Sequence, residues 1–437
     1  MPEGSMRLAL TGDSLIARRI AVYQDEATQR LFEILRGADV SFTNLESLAN
    51  DFVGYPVEES GGAHLAAHEW VIDELLDAGI TLMATPNNHS LNYEVEGLLR
   101  FIEILQRRGI AYAGIGRNLA EAREPHYLDT AAGSVALLAC ASTFAKGQQA
   151  SEQRPNLPGR PGVNPLRFST THTVRPEQLA VLRSIADDLG LEQRRLDGIQ
   201  LGFRFAPDDP MVFPFLDHAF VEGDTPTIRT TPNAKDLTAI CGWVEESAGR
   251  ADIVVVSVHA HEQGANKEEP AEFLRTFAHA VIDAGAHVVT GHGPHLLRGL
   301  ELYKRRPIFY SLGNFVGQNE LTWKLPSDSY ETFRVDGALH PGQLFRQRTD
   351  NDRRGFPSDT RYWESMAPVT HWDDGNLQRI DLHPISLGLG MASHRRGRPR
   401  YAQGEAGGAI LQRFAALSAP FGTTVHVDGD VGSVHLA

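Results

Sequence analysis

The chain has 437 residues, of which 42% are hydrophobic, so it is long enough to bury a large core as one elaborated domain or two modest ones. Its 41 Lys and Arg residues against 55 Asp and Glu give a formal net charge of −14, which argues against nucleic acid or an anionic membrane as the main partner. Its first residues lack a signal-peptide pattern, and no apolar run approaches the ~20 residues of a membrane helix, so we expect a cytoplasmic protein.

Apolar runs of strand character alternate along the chain with amphipathic helical patterns, which is typical of an α/β fold. The predicted strands span residues 7–11, 40–44, 80–84, 135–141, 253–259, 288–290 and 307–312. The predicted helices span residues 25–36, 67–78, 92–108, 176–189, 234–247 and 270–284. Two segments interrupt this alternation, at about 144–231 and 318–374, and the core pattern resumes after each. We therefore interpret residues 1–437 as a single domain with two insertions.

Polar side chains stand at the ends of the predicted strands and in the loops that follow them. They are Asp13 in TGDS, Asn44 and Glu46 in TNLES, Asn87, Asn88 and His89 in TPNNHSLN, His259, His261 and Glu262 in VHAHEQ, His292 and His295 in GHGPH, and Asn314 in SLGNF. Any one of these residues taken alone is more often a turn or capping residue than a functional one. In α/β sheets, however, sites are built beyond the carboxyl ends of strands. The sequence therefore predicts one cleft lined by Asp13, Glu46, Asn88, His259, His292 and His295.

The order of these motifs resembles a known family. GD, NLE, NNH, VVVSVH, GHGPH and IFYSLGNF occur in the order found in the poly-gamma-glutamate capsule protein (CapA) family, a branch of the calcineurin-like metallophosphoesterases. The stretches GIGRNLAEAREP and PGRPGVNPL also resemble this family, so the likeness covers nearly the whole chain. It implies a metallophosphoesterase-like β-sandwich flanked by helices, in four αββα layers. The likeness is specific for the fold and much less specific for the reaction.

The metal-binding pattern that this resemblance implies is incomplete at one of its two positions. Metallophosphoesterases open with Asp-x-His, whereas here Asp13 is followed by Ser14 and Leu15. They close with Gly-His-x-His, whereas GHGPH has an additional residue, and the acidic residue after Asn-His is replaced by Ser90. Carried over residue by residue, the second position would be held by Glu46, Asn88, His259 and His292, and the first only by Asp13, Glu46 and His295. We therefore predict that no metal or organic cofactor is required, with a divalent ion such as Mn or Zn as the alternative.

A carboxylate and an imidazole that no metal occupies are suited to two-base proton chemistry, in which one group removes a proton and the other returns it from the opposite face. We predict Asp13 and His295 as this catalytic pair. The motifs also resemble the peptide epimerases of lasso-peptide biosynthesis, which implies inversion of the Cα of a C-terminal Trp on a ribosomally made precursor peptide. On this hypothesis the peptide is the partner, and the residues that bind it and stabilise the developing negative charge are Glu46, Asn88, His89, His259 and His292.

Two other classes of function remain open at this stage. One is a metal-dependent phosphoesterase or amide hydrolase, and the other is a non-catalytic protein that binds poly-gamma-glutamate or a peptide. The first insertion is interpreted as part of a peptide groove, although its aromatic residues equally fit a core. The residues of that insertion considered for the groove are Arg154, Arg160, Arg167, Phe203, Phe205, Phe213 and Phe215.

Overall fold

Two β-sheets form the framework of residues 5–436, the part of the chain that the computed structural model describes. Numbered along the chain, the strands are β1 (Ser5–Leu15), β2 (Val40–Leu45), β3 (Leu48–Ala49), β4 (Ala66–Ala67), β5 (Leu82–Ala84), β6 (Ala111–Ala113), β7 (Ile115–Gly116), β8 (His126–Thr130), β9 (Gly133–Ala141), β10 (Gly162–Val163), β11 (Phe168–Val174), β12 (Phe213–Phe215), β13 (His218–Glu222), β14 (Thr227–Pro232), β15 (Ile253–His259), β16 (Val288–His292), β17 (Leu297–Tyr303), β18 (Arg306–Leu312), β19 (Asn314–Gly317), β20 (Glu364–Asp373), β21 (Asn376–Ser386), β22 (Arg400–Tyr401), β23 (His426–Asp428) and β24 (Val431–His435). The helices are α1 (Glu26–Arg36), α2 (Val71–Ala78), α3 (Glu94–Arg107), α4 (Leu119–Arg123), α5 (Pro176–Asp188), α6 (Leu191–Gln200), α7 (Ala234–Ala248), α8 (Glu272–Asp283), α9 (Ser327–Phe333), α10 (Pro341–Arg348) and α11 (Gly404–Ser418).

The larger sheet has the strand order β23-β24-β21-β20-β1-β2-β5-β6, with β19 also paired to β1 and β22 to β21. The smaller main sheet has the order β17-β18-β16-β15-β9-β8. The strands β2 and β15 are buried along their whole length, because parallel strands covered on both faces are apolar throughout rather than alternating. Each sheet therefore contributes buried apolar strands, and the polar residues at the ends of these strands are available to form a site.

Three apolar clusters hold these elements together. One cluster contains residues of both sheets, such as Leu10 and Phe42 of the larger sheet with Leu137 and Val255 of the smaller one. A second cluster joins helices α1, α2 and α3 to the larger sheet, and a third joins α7 and α8 to the smaller sheet. Each fully buried aliphatic or aromatic side chain in such a core contributes about 1.5–3 kcal/mol relative to exposure. The structure confirms the mixed α/β class.

Every predicted strand and helix is present within the described residues, with ends shifted by a few residues. The second predicted insertion needs correction, because β20 lies inside residues 318–374 and pairs antiparallel with β1 in the larger sheet. The irregular part of that segment therefore ends at residue 363.

The first predicted insertion, residues 144–231, carries its own four-stranded sheet, β12-β13-β11-β14, among the described residues. Phe203 and Phe205 are 82% and 89% exposed, so they are not core residues. Arg167 binds the buried carboxylate of Asp236.

No helix within residues 5–436 combines the length and the apolar character needed to cross a bilayer.

Candidate active site

The carboxyl ends of strands from both sheets meet at one edge of the fold. Asp13 of β1 pairs with Asn44 of β2, and His259 of β15 pairs with His292 of β16. Nδ2 of Asn44 donates a hydrogen bond to Oδ1 of Asp13 at 2.8 Å and lies 3.2 Å from Nδ1 of His259. One amide side chain therefore links the polar end of the larger sheet to that of the smaller sheet.

Gly12 allows two strands to approach closely where Asp13 enters the site. A Cβ atom at Gly12 would lie 1.8 Å from the carbonyl oxygen of Gly313, which no larger residue can tolerate. The backbone N–H of Asp13 donates to that same carbonyl at 2.9 Å. The glycine of the TGDS motif is therefore required by the backbone contact that positions Asp13.

Asp13 is fully buried and is surrounded by donors. Its Oδ2 atom accepts a hydrogen bond from the backbone N–H of Gly293 at 3.0 Å and lies 3.4 Å from Nδ1 of His295. Burial by itself raises the pKa of Asp13, but the hydrogen bond to His295 and the charges of His292, His295 and His259 outweigh it and hold the pKa well below its usual range. Asp13 therefore remains ionised at neutral pH.

His295 lies between two carboxylates. Its Nδ1–H donates to Oδ1 of Asn314 at 2.9 Å, while its Nε2 lies 3.6 Å from Oε1 of Glu46. Burial lowers the pKa of His295, but the charge of Glu46 and the interactions with Asp13 and Asn314 outweigh it and raise the pKa to about 9. The backbone φ of His295 is 60°, a strained value for a residue with a side chain, and such strain is concentrated at functional sites.

Glu46 is fully buried, and neither of its carboxylate oxygens has a hydrogen-bond partner among the described residues. Its Oε1 atom lies 3.8 Å from Nε2 of both His89 and His259. Burial raises the pKa of Glu46 to about 8. Because a buried carboxylate without a hydrogen-bond partner is costly, Glu46 requires either a proton or a cation, and His295, with its Nε2 at 3.6 Å, is a neighbouring side chain that can carry positive charge.

The residues around Glu46 fit a divalent cation. Two sets of donor atoms, each within 4.8 Å, share Glu46 among the described residues. They are Asp13, Glu46 and His295, and Glu46, His259 and His261. Burial lowers the pKa of His261 to about 3 and that of His259 well below its usual value, so both rings are neutral, as metal ligands must be. Imidazole nitrogen with carboxylate oxygen is a donor set that Zn or Mn accepts.

These convergent imidazole and carboxylate donors differ from the set carried over from the sequence resemblance, because they include His261 and do not include His292. Oδ1 of Asn88 lies 2.8 Å from Nε2 of His259. Nδ1 of His292 lies 3.6 Å from Oδ1 of Asp13. His261, whose role the sequence left open, has its Nε2 atom 3.1 Å from Nε2 of His259. His292 therefore contacts Asp13 but belongs to neither of the two donor sets that share Glu46 among the described residues.

Two further predicted residues have local partners. Nδ1 of His89 lies 2.8 Å from Oδ1 of Asn92, and its Nε2 lies 3.0 Å from Nδ2 of Asn88. The carboxylate of Glu262 accepts hydrogen bonds from Ser142 at 2.7 Å and Thr143 at 3.0 Å. Glu262 is therefore held in place by the protein itself.

A pocket of about 230 Å³ opens onto this cluster. Its lining includes three imidazoles, three cationic side chains and two aromatic rings. These residues are His89, His261, His295, Lys267, Arg298, Arg348, Phe356 and Tyr362. Leu15, which stands where the Asp-x-His pattern would place an imidazole, also lines the pocket. Asp13 and Glu46 do not line it, so a substrate in the pocket meets His295 before it meets either carboxylate.

The mixed α/β fold and the carboxylate–imidazole cluster at its strand ends define a metallophosphoesterase-like protein. Residues 7–319 match the bacterial capsule synthesis protein family PGA_cap, and the chain belongs to this family. It is 34% identical to the uncharacterized protein y4sH of Sinorhizobium fredii (strain NBRC 101917 / NGR234), over 98% of this chain and 93% of that protein.

The chain is also similar to two proteins named for capsule or PGA biosynthesis. It is 25% identical to the capsule biosynthesis protein CapA of Bacillus anthracis, over 71% of this chain and 59% of that protein. It is 22% identical to the PGA biosynthesis protein CapA of Bacillus subtilis (strain 168), over 70% of this chain and 62% of that protein.

Proposed function

We propose that this protein is a peptide epimerase, which inverts the Cα of the C-terminal residue of a ribosomally made peptide, with Trp as the residue. The relatives named for capsule and PGA biosynthesis support a peptide substrate that carries free carboxylates. The four-layer αββα arrangement belongs to the same proposal, since it would place the strand ends of both sheets around one cleft.

The observation that carries this proposal is the position of His295. It is buried between Asp13 and Glu46 and still lines the pocket. With a pKa raised to about 9, His295 is protonated at neutral pH and is ready to donate a proton to a carbon. The ionised Asp13 behind it is the complementary acceptor, and because its lowered pKa makes it a weak base, the bound peptide has to separate it from the histidines that lower that pKa.

In the proposed reaction the Cα–H bond breaks, its electron pair moves into the neighbouring carboxylate as an enediolate, and the proton passes to a base. A new Cα–H bond then forms on the opposite face with a proton from the second group. Asp13 and His295 are in contact in the unliganded chain, so the substrate Cα has to separate them for Asp13 to act directly. If the two side chains stay in contact, Asp13 acts only by orienting His295 and by stabilising its protonated form.

The enediolate must be stabilised, because a proton next to a carboxylate is very weakly acidic. His89 and His261 reach the pocket, and Asn88 supports them through its contacts with His89 and His259. A divalent ion held by Glu46, His259 and His261 would supply positive charge against the developing anion. The prediction that no metal is required stays a prediction.

A second candidate function is metal-dependent hydrolysis of a phosphoester or an amide. Both oxygens of Glu46 are buried without a hydrogen-bond partner, and two donor sets share this residue among the described residues. A carboxylate between two cation positions fits hydrolysis by a bound metal ion. Leu15 in place of an imidazole weakens this alternative, since it leaves the set around Asp13 with three protein residues.

Deuterium incorporation separates these candidates. Synthetic peptides ending in Trp and gamma-glutamyl oligomers are incubated with the purified protein in deuterated buffer, with and without a chelator. An epimerase yields full-length peptide that carries deuterium at the C-terminal Cα and contains D-Trp. A hydrolase yields shorter products without Cα deuterium. Unchanged peptide in every condition would contradict the epimerase and the amide hydrolase, and the same assay with a phosphoester substrate tests the remaining hydrolase before a binding protein is inferred.

A further inference from the structure

Arg298 is a buried cation without a carboxylate partner. Its side chain, on β17, is 1% exposed, and its Nε donates to the backbone carbonyl of Lys267 at 3.0 Å. Its Nη1 atom has no acceptor, and no carboxylate of residues 5–436 lies within 4.0 Å of its guanidinium. Burial lowers the pKa of Arg298 and the charge of Glu262 raises it, but the Glu262 carboxylate already accepts hydrogen bonds from Ser142 and Thr143.

Other buried arginines in the described part of the chain show what this guanidinium lacks. Arg123 is 8% exposed and binds Asp236 at 2.8 Å. Arg396 is 4% exposed and binds both Glu320 and Asp352. A charge taken out of water needs a partner of opposite sign, so Arg298 is poised for an anion that the protein does not supply.

Arg298 lines the same pocket as His295, so an anion bound there would lie next to the proposed proton donor. The exposed side chain of Lys267 lines that pocket as well and donates to the hydroxyl of Tyr362 at 2.8 Å. Phe356 stacks on Tyr362 with ring centroids 4.2 Å apart, and its ring lies 5.6 Å from that of His295. The pocket thus combines a fixed cation with an aromatic wall.

We propose that Arg298 binds the terminal carboxylate of a peptide substrate, and that Phe356 and Tyr362 receive the aromatic side chain of the same residue. A planar guanidinium matches a carboxylate with paired, charge-assisted hydrogen bonds. The assignment of the anion to a peptide terminus rests on the proposed function, whereas the anion site itself rests on the unpaired guanidinium. A volume of about 230 Å³ suits one terminal residue rather than a longer segment.

The test uses N-acetyl-L-tryptophan and its C-terminal amide, which differ only in the negative charge. Binding of each to the full chain is measured by NMR titration. The wild type is expected to bind the acid at least about tenfold more tightly than the amide. Arg298→Met is expected to reduce this preference to less than about twofold, and Arg298→Lys to retain part of it. Phe356→Ala is expected to weaken acid and amide equally.

Thermal unfolding separates a binding role from a structural one. Arg298→Met is expected to keep or raise the midpoint of unfolding, because it removes an uncompensated buried charge. The matched variant Arg123→Met is expected to lower it, because it breaks an ion pair with the buried Asp236. A lower midpoint for Arg298→Met together with an unchanged acid preference would mean that Arg298 is structural.

Equal binding of the acid and the amide by the wild type would overturn the proposal. The proposal would also be overturned if inorganic phosphate displaced both compounds and the wild type bound the acid no more tightly than the amide. An acid preference that depends on Arg298, found in a protein that exchanges no Cα proton, would sustain the anion site while the epimerase proposal failed. Exchange of the Cα proton in a protein that binds acid and amide equally would sustain the epimerase proposal while the anion site at Arg298 failed. The two proposals therefore fail separately.

Discussion

Oδ2 of Asp13 lies 3.4 Å from Nδ1 of His295, and both side chains are withdrawn from solvent. Nδ1 of that ring also donates to Asn314, so the other ring nitrogen, Nε2, is turned towards Glu46. Asn314 therefore orients the ring, and Glu46 and Asp13 together stabilise the positive charge that it carries. Four predictions follow from this cluster and the strands that support it.

Asp13→Asn should lower the pKa of His295 from about 9, because the negative charge and the interaction that raise it are lost. Peptide inversion should fall by at least ~10²-fold, in the range of general acid–base contributions. The pKa is measured by NMR titration of the ring protons, and inversion by chiral analysis of the product. Exchange of the Cα proton from one stereoisomer without inversion would identify Asp13 as the second base. Parallel loss of exchange and inversion would identify it as a positioning residue, and wild-type inversion would contradict both roles.

Glu46→Gln should flatten the dependence of stability on pH in metal-free protein. The pKa of Glu46 is raised from 4.5 to about 8, so the stability it contributes is complete below pH 4.5 and is lost as pH rises through 8. His295, raised from 6.5 to about 9, contributes stability that is complete below 6.5 and is lost as pH rises through 9. The wild type should therefore lose stability progressively from about pH 4.5 to 9, and the variant less steeply between about pH 4.5 and 8. Calorimetry in chelator measures both curves, and parallel curves would count against an unpartnered Glu46.

Cation binding should depend on His261 more than on His292. Of these two residues, His261 belongs to a convergent donor set with Glu46 among the described residues and His292 does not, so His261→Ala should weaken Mn or Zn binding by at least the ~10–100-fold that loss of an outer-shell partner costs. Apparent affinity should rise with pH up to about 8, because the bound form of Glu46 is the deprotonated one. Calorimetric titration in buffers of different ionisation enthalpy measures affinity and proton release together. A larger loss in His292→Ala would favour the ligand set carried over from the sequence.

Gly12→Ala should disrupt the site and the larger sheet, because the new Cβ would lie 1.8 Å from the Gly313 carbonyl oxygen. We expect a loss of stability of several kcal/mol, as for other overpacked buried positions. Gly242→Ala is the matched control, since Gly242 lies in α7 with nothing within 4 Å of an added Cβ. That variant should gain about 0.5–1 kcal/mol, because Ala is a better helix former than Gly. Thermal unfolding of both variants tests the contrast, and equal midpoints would argue against the close strand approach.

The fold and the cluster were predictable where apolar strands end abruptly in polar residues, as at Asp13, His259 and His292. The strands β20 and β21 escaped prediction for a physical reason. Each contains a proline, Pro368 or Pro384. Proline weakens the sequence pattern of a strand, although both of these strands lie inside the larger sheet with a paired neighbour on each side.

The roles of two residues of the site could not be assigned from sequence patterns. His261 follows a strand by two positions and looks like an exposed loop residue until the loop turns its ring back onto His259. Arg298 lies in an apolar run, and an arginine there is ordinarily assigned to the surface. The donor set of His261 also includes Glu46, and Arg298 bonds to the carbonyl of Lys267, so both roles depend on residues far apart in the chain, which local periodicity does not encode.

The order of synthesis has a consequence for the strand that carries Asp13. β1 pairs early with β2, but its neighbours β19 and β20 begin only at residues 314 and 364. At about 5–20 residues per second, the growing chain leaves one side of β1 unpaired for roughly 15–70 s. Throughout that interval β1 is an open sheet edge of the kind that pairs with other chains. We therefore expect the yield of folded protein to depend on chaperone capacity during translation more than on the stability of the finished molecule.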